Sequence, residues 1–216
     1  MPAVMASPFE PSLGAPVFRA AFLPRMPDID VRTDRATALA RLAPAHADFL
    51  RARGFDPDRL STAEQVHGSG VAVADEGVLH PGVDALITSK HNLALGIYVA
   101  DCAAVYLADR QGRAVGLVHS GRAGTELNIV GRAIEAMTEK FGVMPGDIIA
   151  EISPCIRPPL YETDFAAAIR AQAAAAGVGE VRDAGICTGR DTANYYSYRL
   201  ERGQTGRMLA VLALRS

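Results

Sequence analysis

A chain of 216 residues that is 49% hydrophobic and 21% charged can bury one sizeable core, and its formal net charge of -2 supplies no basic excess for tracking a nucleic-acid backbone. No apolar run reaches bilayer length, and the opening MPAVMASPFEPSLGAPVF has neither the basic start nor the apolar stretch of a signal peptide. A single cytoplasmic domain that takes a small-molecule substrate, acts as a monomer and engages neither nucleic acid nor membrane is the expectation.

Residues 1–16 carry four prolines without periodicity and read as an extended arm, leaving 17–216 as one catalytic domain. From Asp34 to Gly54, Leu39, Leu42, Phe49 and Leu50 fall at helical spacing, with Pro44 expected to kink or divide the helix. Between Leu60 and Ser120 short apolar runs alternate with turn residues, so STAEQVH, VAVAD, DALIT, ALGIYVA, AVYLAD and AVGLVHS are predicted strands. A long helix is predicted to start near Thr125, with Leu127, Val130, Ile134 and Met137 on its apolar face, and to stop at Gly142. A strand over Ile148 to Ile152, helices over Phe165 to Ala176 and Thr192 to Glu201, and a strand over Met208 to Leu214 complete a mixed α/β chain.

Polar chemistry gathers at the ends of the predicted strands. His67, Cys102 and His119 each sit at the edge of an apolar run, and two imidazoles with one thiolate form a zinc-type set that leaves a fourth position open. Sequence spacing alone does not fix that geometry. His67 could equally cap a strand, His119 could be a hydrogen-bonded loop histidine, and a metal-free pair with Cys102 as nucleophile and His119 as base is a further possibility. Asp101 would orient a histidine in either case. The segment Ser120-Gly121-Arg122-Ala123-Gly124 runs into a helix, so Gly121 and Gly124 could let backbone N–H groups approach an anion that Arg122 clamps; a plain strand-to-helix turn explains the same glycines. Cys155 and Cys187 are expected to be buried structural thiols, since three widely spaced cysteines do not form a disulfide framework.

Several short motifs occur in order: Gln65-Val66-His67-Gly68, Asp84-Ala85-Leu86-Ile87-Thr88, Ala100-Asp101-Cys102, Val118-His119, Ser153-Pro154-Cys155-Ile156 with Tyr161-Glu162, Cys187-Thr188, Tyr196-Ser197-Tyr198-Arg199 and Thr205-Gly206-Arg207-Met208. In this series the chain resembles the YfiH-like proteins, also called the laccase-domain or multicopper polyphenol oxidoreductase family. The resemblance implies a single α/β domain with layered mixed β-sheets flanked by helices. It also implies zinc held by His67, Cys102 and His119, and a purine nucleoside phosphorylase that uses phosphate on adenosine, inosine or methylthioadenosine, with adenosine deamination beside it. From the same resemblance, Asp101, Tyr198 and Arg199 are expected to line the substrate pocket. Two departures fall on the substrate-binding part: the usual HAGWRG reads His119-Ser120-Gly121-Arg122-Ala123-Gly124 here, and the glycine-rich segment before the first helix is replaced by the proline-rich Phe22 to Pro27.

Other functions described for such proteins are editing of peptidoglycan precursors and polyphenol oxidation, and a metal-binding domain that has lost turnover is the non-enzymatic alternative. Five histidines are too few for a multicopper cluster, because His46, His80 and His91 alone remain once His67 and His119 are spent. Adventitious copper in the zinc site could still give weak oxidation. For deamination, a glutamate acid/base is missing from the reading: Glu64 lies three residues from His67, on the opposite face of a strand.

Overall fold

The computed structural model describes residues 7–14 and 16–215. In chain order the elements are strand β1 (Phe18–Leu23), helix α1 (Arg35–Ala52), strands β2 (Leu60–Ala63), β3 (Val71–Val73), β4 (Leu79–His80), β5 (Ala85–Thr88), β6 (Ala94–Val99), β7 (Ala103–Asp109) and β8 (Val115–Ser120), helices α2 (Arg122–Glu126) and α3 (Ile129–Phe141), strand β9 (Ile148–Ile152), helix α4 (Phe165–Ala175), and strands β10 (Glu180–Asp183) and β11 (Met208–Leu214). The strands form two mixed sheets, one ordered β1-β11-β6-β2-β4 and the other β10-β9-β7-β8-β5-β3. Parallel and antiparallel pairs occur in both.

The central strands are buried along their whole length because both of their faces are covered. Along β7, Ala104, Tyr106 and Ala108 enter the core between the sheets, where they meet Leu95, Ile97, Ala210 and Leu212 of the other sheet. The alternate residues Ala103, Val105 and Leu107 face the opposite way, into a second core built with Ile129, Ile134 and Met137 of α3 and Phe165 and Ile169 of α4. On the far side of the first sheet, Leu209 and Val211 of β11 pack against Phe49 and Leu50 of α1. The result is a single mixed α/β domain of two sheets flanked by helices, and among the described residues no helix is long and apolar enough to cross a membrane.

Three local expectations are corrected. Pro44 does not divide α1, which continues from Arg35 to Ala52, because its exposed position leaves water free to take the carbonyl that lost its N–H partner. The long helix instead comes as α2 and α3, because Asn128 adopts a left-handed conformation (φ 57°) that ends one helix and starts the next; the stop at left-handed Gly142 is as expected. Thr192 to Glu201 forms a series of turns rather than a helix. There the carboxylate of Glu201 accepts from the Ser197 N–H and that of Asp101 from the Arg199 N–H, so side chains take bonds that a helix would have made internally. Of the N-terminal arm, residues 1–6 and 15 lie outside the described residues; 7–14 have no regular element, yet Phe9 and Leu13 are buried in the central core.

Two of the places where the chain passes from one sheet to the other lie next to each other: between β2 and β3, and between β6 and β7, since β2 and β6 are neighbours in the first sheet. These crossings, with the end of β8, carry the site.

Candidate metal centre

His67 lies in the β2–β3 crossing, Cys102 in the β6–β7 crossing, and His119 within β8. One donor atom from each falls within 4.8 Å of the others, with Cys102 Sγ 3.9 Å from His67 Nε2 and the two imidazoles edge to face at 4.8 Å between centroids. A tetrahedral ion with ligand bonds of ~2.0–2.3 Å needs donors spaced by roughly 3.3–3.6 Å, so small side-chain adjustments bring the three onto one ion. Two nitrogens and a sulfur are a donor set that zinc or copper accepts. The residues present therefore fit a metal.

The carboxylate that organises the centre is Asp84, at the entry to β5, and not Asp101. Asp84 Oδ1 lies 2.7 Å from His119 Nδ1, which turns the Nε2 edge of that ring toward the other two donors. The same carboxylate accepts the backbone N–H groups of Val66, His67 and Gly68 at 3.2, 2.9 and 2.7 Å. It thereby fixes His119 by its ring and His67 by its backbone. His67 (φ 60°) and its neighbour Gln65 (φ 64°) both stand in the left-handed region, a conformation these hydrogen bonds maintain. Gln65 hooks the loop to β6, its amide giving and receiving hydrogen bonds with the backbone of Tyr98 at 2.6 and 3.0 Å.

Charge is shared among the same groups. Burial pushes the Cys102 thiol up, but the His119 and His67 imidazoles more than offset it and hold the thiol below its ordinary value. Burial opposes a charge on His119 as well, and here the sulfur of Cys102 and the carboxylate of Asp84 raise its pKa. For Asp84, burial is again outweighed, by His119 and the backbone donors, and its pKa is lowered. Cys155, buried with no such partners, is pushed up to about 12.

Asp101 is buried at φ 79° on the cavity wall, but its carboxylate is committed to Thr188 Oγ1 at 2.7 Å, Ser197 Oγ at 3.0 Å and the Arg199 N–H at 2.7 Å. It braces the turns that carry Tyr198 and Arg199 and does not touch a histidine. Gly121 and Gly124 are explained by packing: a Cβ on Gly121 would come 2.4 Å from Cys102 Sγ, and one on Gly124 would press on Ile129 and the Gly68 carbonyl. Neither glycine lines the cavity, and the five-residue helix α2 is too short to concentrate a dipole on an anion. Arg122 stands half-exposed at the rim, paired with Glu126 at 3.0 Å and Glu162 at 3.6 Å. Tyr198 and Arg199 do line the cavity, Arg199 lying over the Tyr161 ring and pairing with Glu162.

The three donors open into a cavity of about 880 Å³, ample for a nucleoside with a second ligand. Ile156, Tyr161 and Phe165 supply apolar wall, while Arg35 and Arg207 supply charge that the sequence reading did not single out. Asp84 and Arg207 both stand in quoted motifs, DALIT and TGRM; an acid directly before four buried strand residues was the available signal for Asp84.

Comparison with known proteins gives a consistent result. The family model described as multi-copper polyphenol oxidoreductase laccase matches residues 32–168 and 161–215. A Deinococcus radiodurans protein named purine nucleoside phosphorylase is 33% identical over 207 residues, covering 84% of this chain and 80% of the relative. A Streptomyces coelicolor protein of the same name is 33% identical over 184 residues, covering 72% and 75%. The crystal structure of YlmD from Geobacillus stearothermophilus superposes with a TM-score of 0.85 at 25% identity, covering 94% of this chain and 95% of that one.

Proposed function

The chain belongs to the multi-copper polyphenol oxidoreductase laccase family, and from that premise we propose that it is a zinc-dependent purine nucleoside phosphorylase, converting adenosine, inosine or methylthioadenosine and phosphate to free base and ribose 1-phosphate. The observation that carries the reading is the meeting of His67, Cys102 and His119 in one cavity lined by both apolar and cationic side chains.

In the reaction a phosphate oxygen forms a bond to C1′ as the C1′–N9 bond breaks. The electron pair goes to the base, which takes the proton carried by the monohydrogen phosphate dianion. His67, Cys102 and His119 would hold zinc, which when bound supplies positive charge and an open coordination position for a substrate oxygen. Ile156, Tyr161 and Phe165 offer a surface on which a purine can lie shielded from water. Asp101 keeps the Tyr198–Arg199 wall in place through its three hydrogen bonds.

Deamination calls for a free carboxyl near the metal to move protons. Among the described residues the acids that line the cavity are engaged, Asp101 with its three donors and Glu126 with Arg122, while Glu64 accepts the Gly82 N–H at 2.7 Å. Phosphorolysis is therefore the favoured reaction. The histidines likewise argue against a multicopper centre: His46 is buried against Tyr98, His80 accepts from the Asp75 N–H, and His91 bonds to the Arg215 carbonyl, so among the described residues only one metal-capable group forms. A cytoplasmic monomer whose three free thiols stay reduced completes the reading.

The test incubates zinc-loaded chain with inosine or adenosine, with and without phosphate. Hypoxanthine or adenine appearing with equimolar ribose 1-phosphate, and only when phosphate is present, is expected. Inosine formed from adenosine would mark deamination, and silence with every purine nucleoside would remove the phosphorylase reading in favour of peptidoglycan-precursor editing or a domain without turnover.

A further inference from the structure

Among the described residues three guanidinium groups that line the cavity, Arg35, Arg202 and Arg207, form no ion pair with a carboxylate, and two of them, Arg35 and Arg207, lie close to each other. Arg35, at the start of α1, donates only to the carbonyl of Glu64, at 3.2 and 3.3 Å. Arg207, just before β11, spends Nη1 on the carbonyls of Thr205 and Gly206, at 3.0 and 2.8 Å. That leaves its Nε and Nη2 edge, the side that grips an oxyanion with two parallel bonds, uncommitted. The contrast with Arg122 and Arg199 is direct, since both of those are paired with Glu126 or Glu162.

Arg207 is half-buried, lies over the Tyr198 ring at 5.8 Å, and sits near enough to Arg35 for the two charges to repel. Arg35 and Arg207 line the same cavity as His67, Cys102 and His119, and Arg207 is near enough to Cys102 to feel the sulfur's charge. Asp101, whose carboxylate is already spent on three donors, acts on Arg207 only through space, so two like charges that converge without a direct ion pair are stabilised by an anion placed between them.

We propose that Arg35 and Arg207 clamp inorganic phosphate on the wall beside His67 and Cys102, and that this pair, rather than Arg122, positions the attacking group. The role in turnover rests on the phosphorylase reading; the anion site itself does not. A phosphate dianion spreads its charge over oxygens that two guanidinium forks can engage together, and Arg207 reaches the site already fixed by its two carbonyl bonds and its ring contact. Arg35 on an exposed first helical turn completes the clamp from the opposite element.

The experiment measures binding of inorganic phosphate to the full zinc-loaded chain by calorimetry, for wild type, Arg35→Gln, Arg207→Gln and Arg207→Lys, alongside zinc content, circular dichroism and the KM values for phosphate and inosine. Each glutamine variant is expected to bind phosphate about ten- to hundredfold more weakly, with zinc content and the KM for inosine unchanged, and Arg207→Lys to recover part of the loss. Should Arg207→Gln lose its fold, Arg35→Gln decides alone, because its side chain is exposed. A wild-type chain that binds no phosphate, or a folded, zinc-loaded Arg35→Gln that binds it as wild type does, would overturn the proposal. Phosphate held by the pair without release of any purine base would instead remove the phosphorylase reading and leave the anion site standing.

Discussion

Cys102→Ala is expected to fold yet hold metal at least about a hundredfold more weakly than wild type, beyond the ten- to hundredfold typical of losing an outer partner, with nucleoside turnover falling in step. The fold should survive because Cys102 is not part of the buried apolar clusters, and alanine keeps the Cβ while removing a sulfur that faces the two imidazoles. Titrating the metal against a competing chelator, with base release followed in the same samples, checks both halves. The pH dependence follows from the sign of the shifts. In the metal-free chain the Cys102 thiol is lowered and His119 is raised, so the proton that metal must displace near neutrality sits on His119. Wild-type metal affinity should therefore climb as pH rises through neutrality and fall as it drops. A Cys102→Ala chain that keeps wild-type metal content and turnover would separate the sulfur from the centre.

The second large effect belongs to Asp84. Asp84→Ala leaves the His119 ring nitrogen and three backbone N–H groups without their acceptor inside the protein, which costs about 3–5 kcal/mol of folding stability. Asp84→Asn keeps an acceptor oxygen but removes the charge, and should lower metal affinity about ten- to hundredfold at a smaller cost in stability. Urea unfolding read beside metal titration distinguishes the two substitutions. The folded-state pKa of Asp84 is depressed, so its contribution to stability is fully present above the unfolded carboxylate value and is lost as pH falls through the folded one. Removing Asp84 should thus flatten the acid limb of the stability profile. Equal stability of the alanine variant and wild type at neutral pH would mean that the carboxylate does not hold the loop.

The same centre shows what a sequence can and cannot disclose. Strands such as β7 and β11 were legible because their apolar residues form unbroken runs, and covering layers on both faces demand such runs. His67, Cys102 and His119 were legible as candidate donors because polar groups at the ends of apolar strands are conspicuous. Their convergence was legible only through the family resemblance and not from spacing, since it depends on two chain crossings between sheets whose pairing is set far along the chain. Asp101 drew the histidine-orienting role because it adjoins Cys102, yet at φ 79° its carboxylate is spent on Thr188, Ser197 and Arg199. Asp84, 35 positions from His119, took that role through β5–β8 pairing, which sets Ala85 opposite Val118. Glycine content misled in a similar way: Gly121 answers to the bulk of a sulfur across the site and not to a ligand. The expected helix at Thr192 failed for want of one fact, that Glu201 and Asp101 would capture its N–H groups.

X-ray absorption at the zinc edge of the loaded chain tests most directly whether His67, Cys102 and His119 share one ion. One sulfur at ~2.3 Å with two imidazole nitrogens at ~2.0–2.1 Å, at one zinc per chain, is the expected shell. A shell without sulfur, or one unchanged in Cys102→Ala, would contradict it.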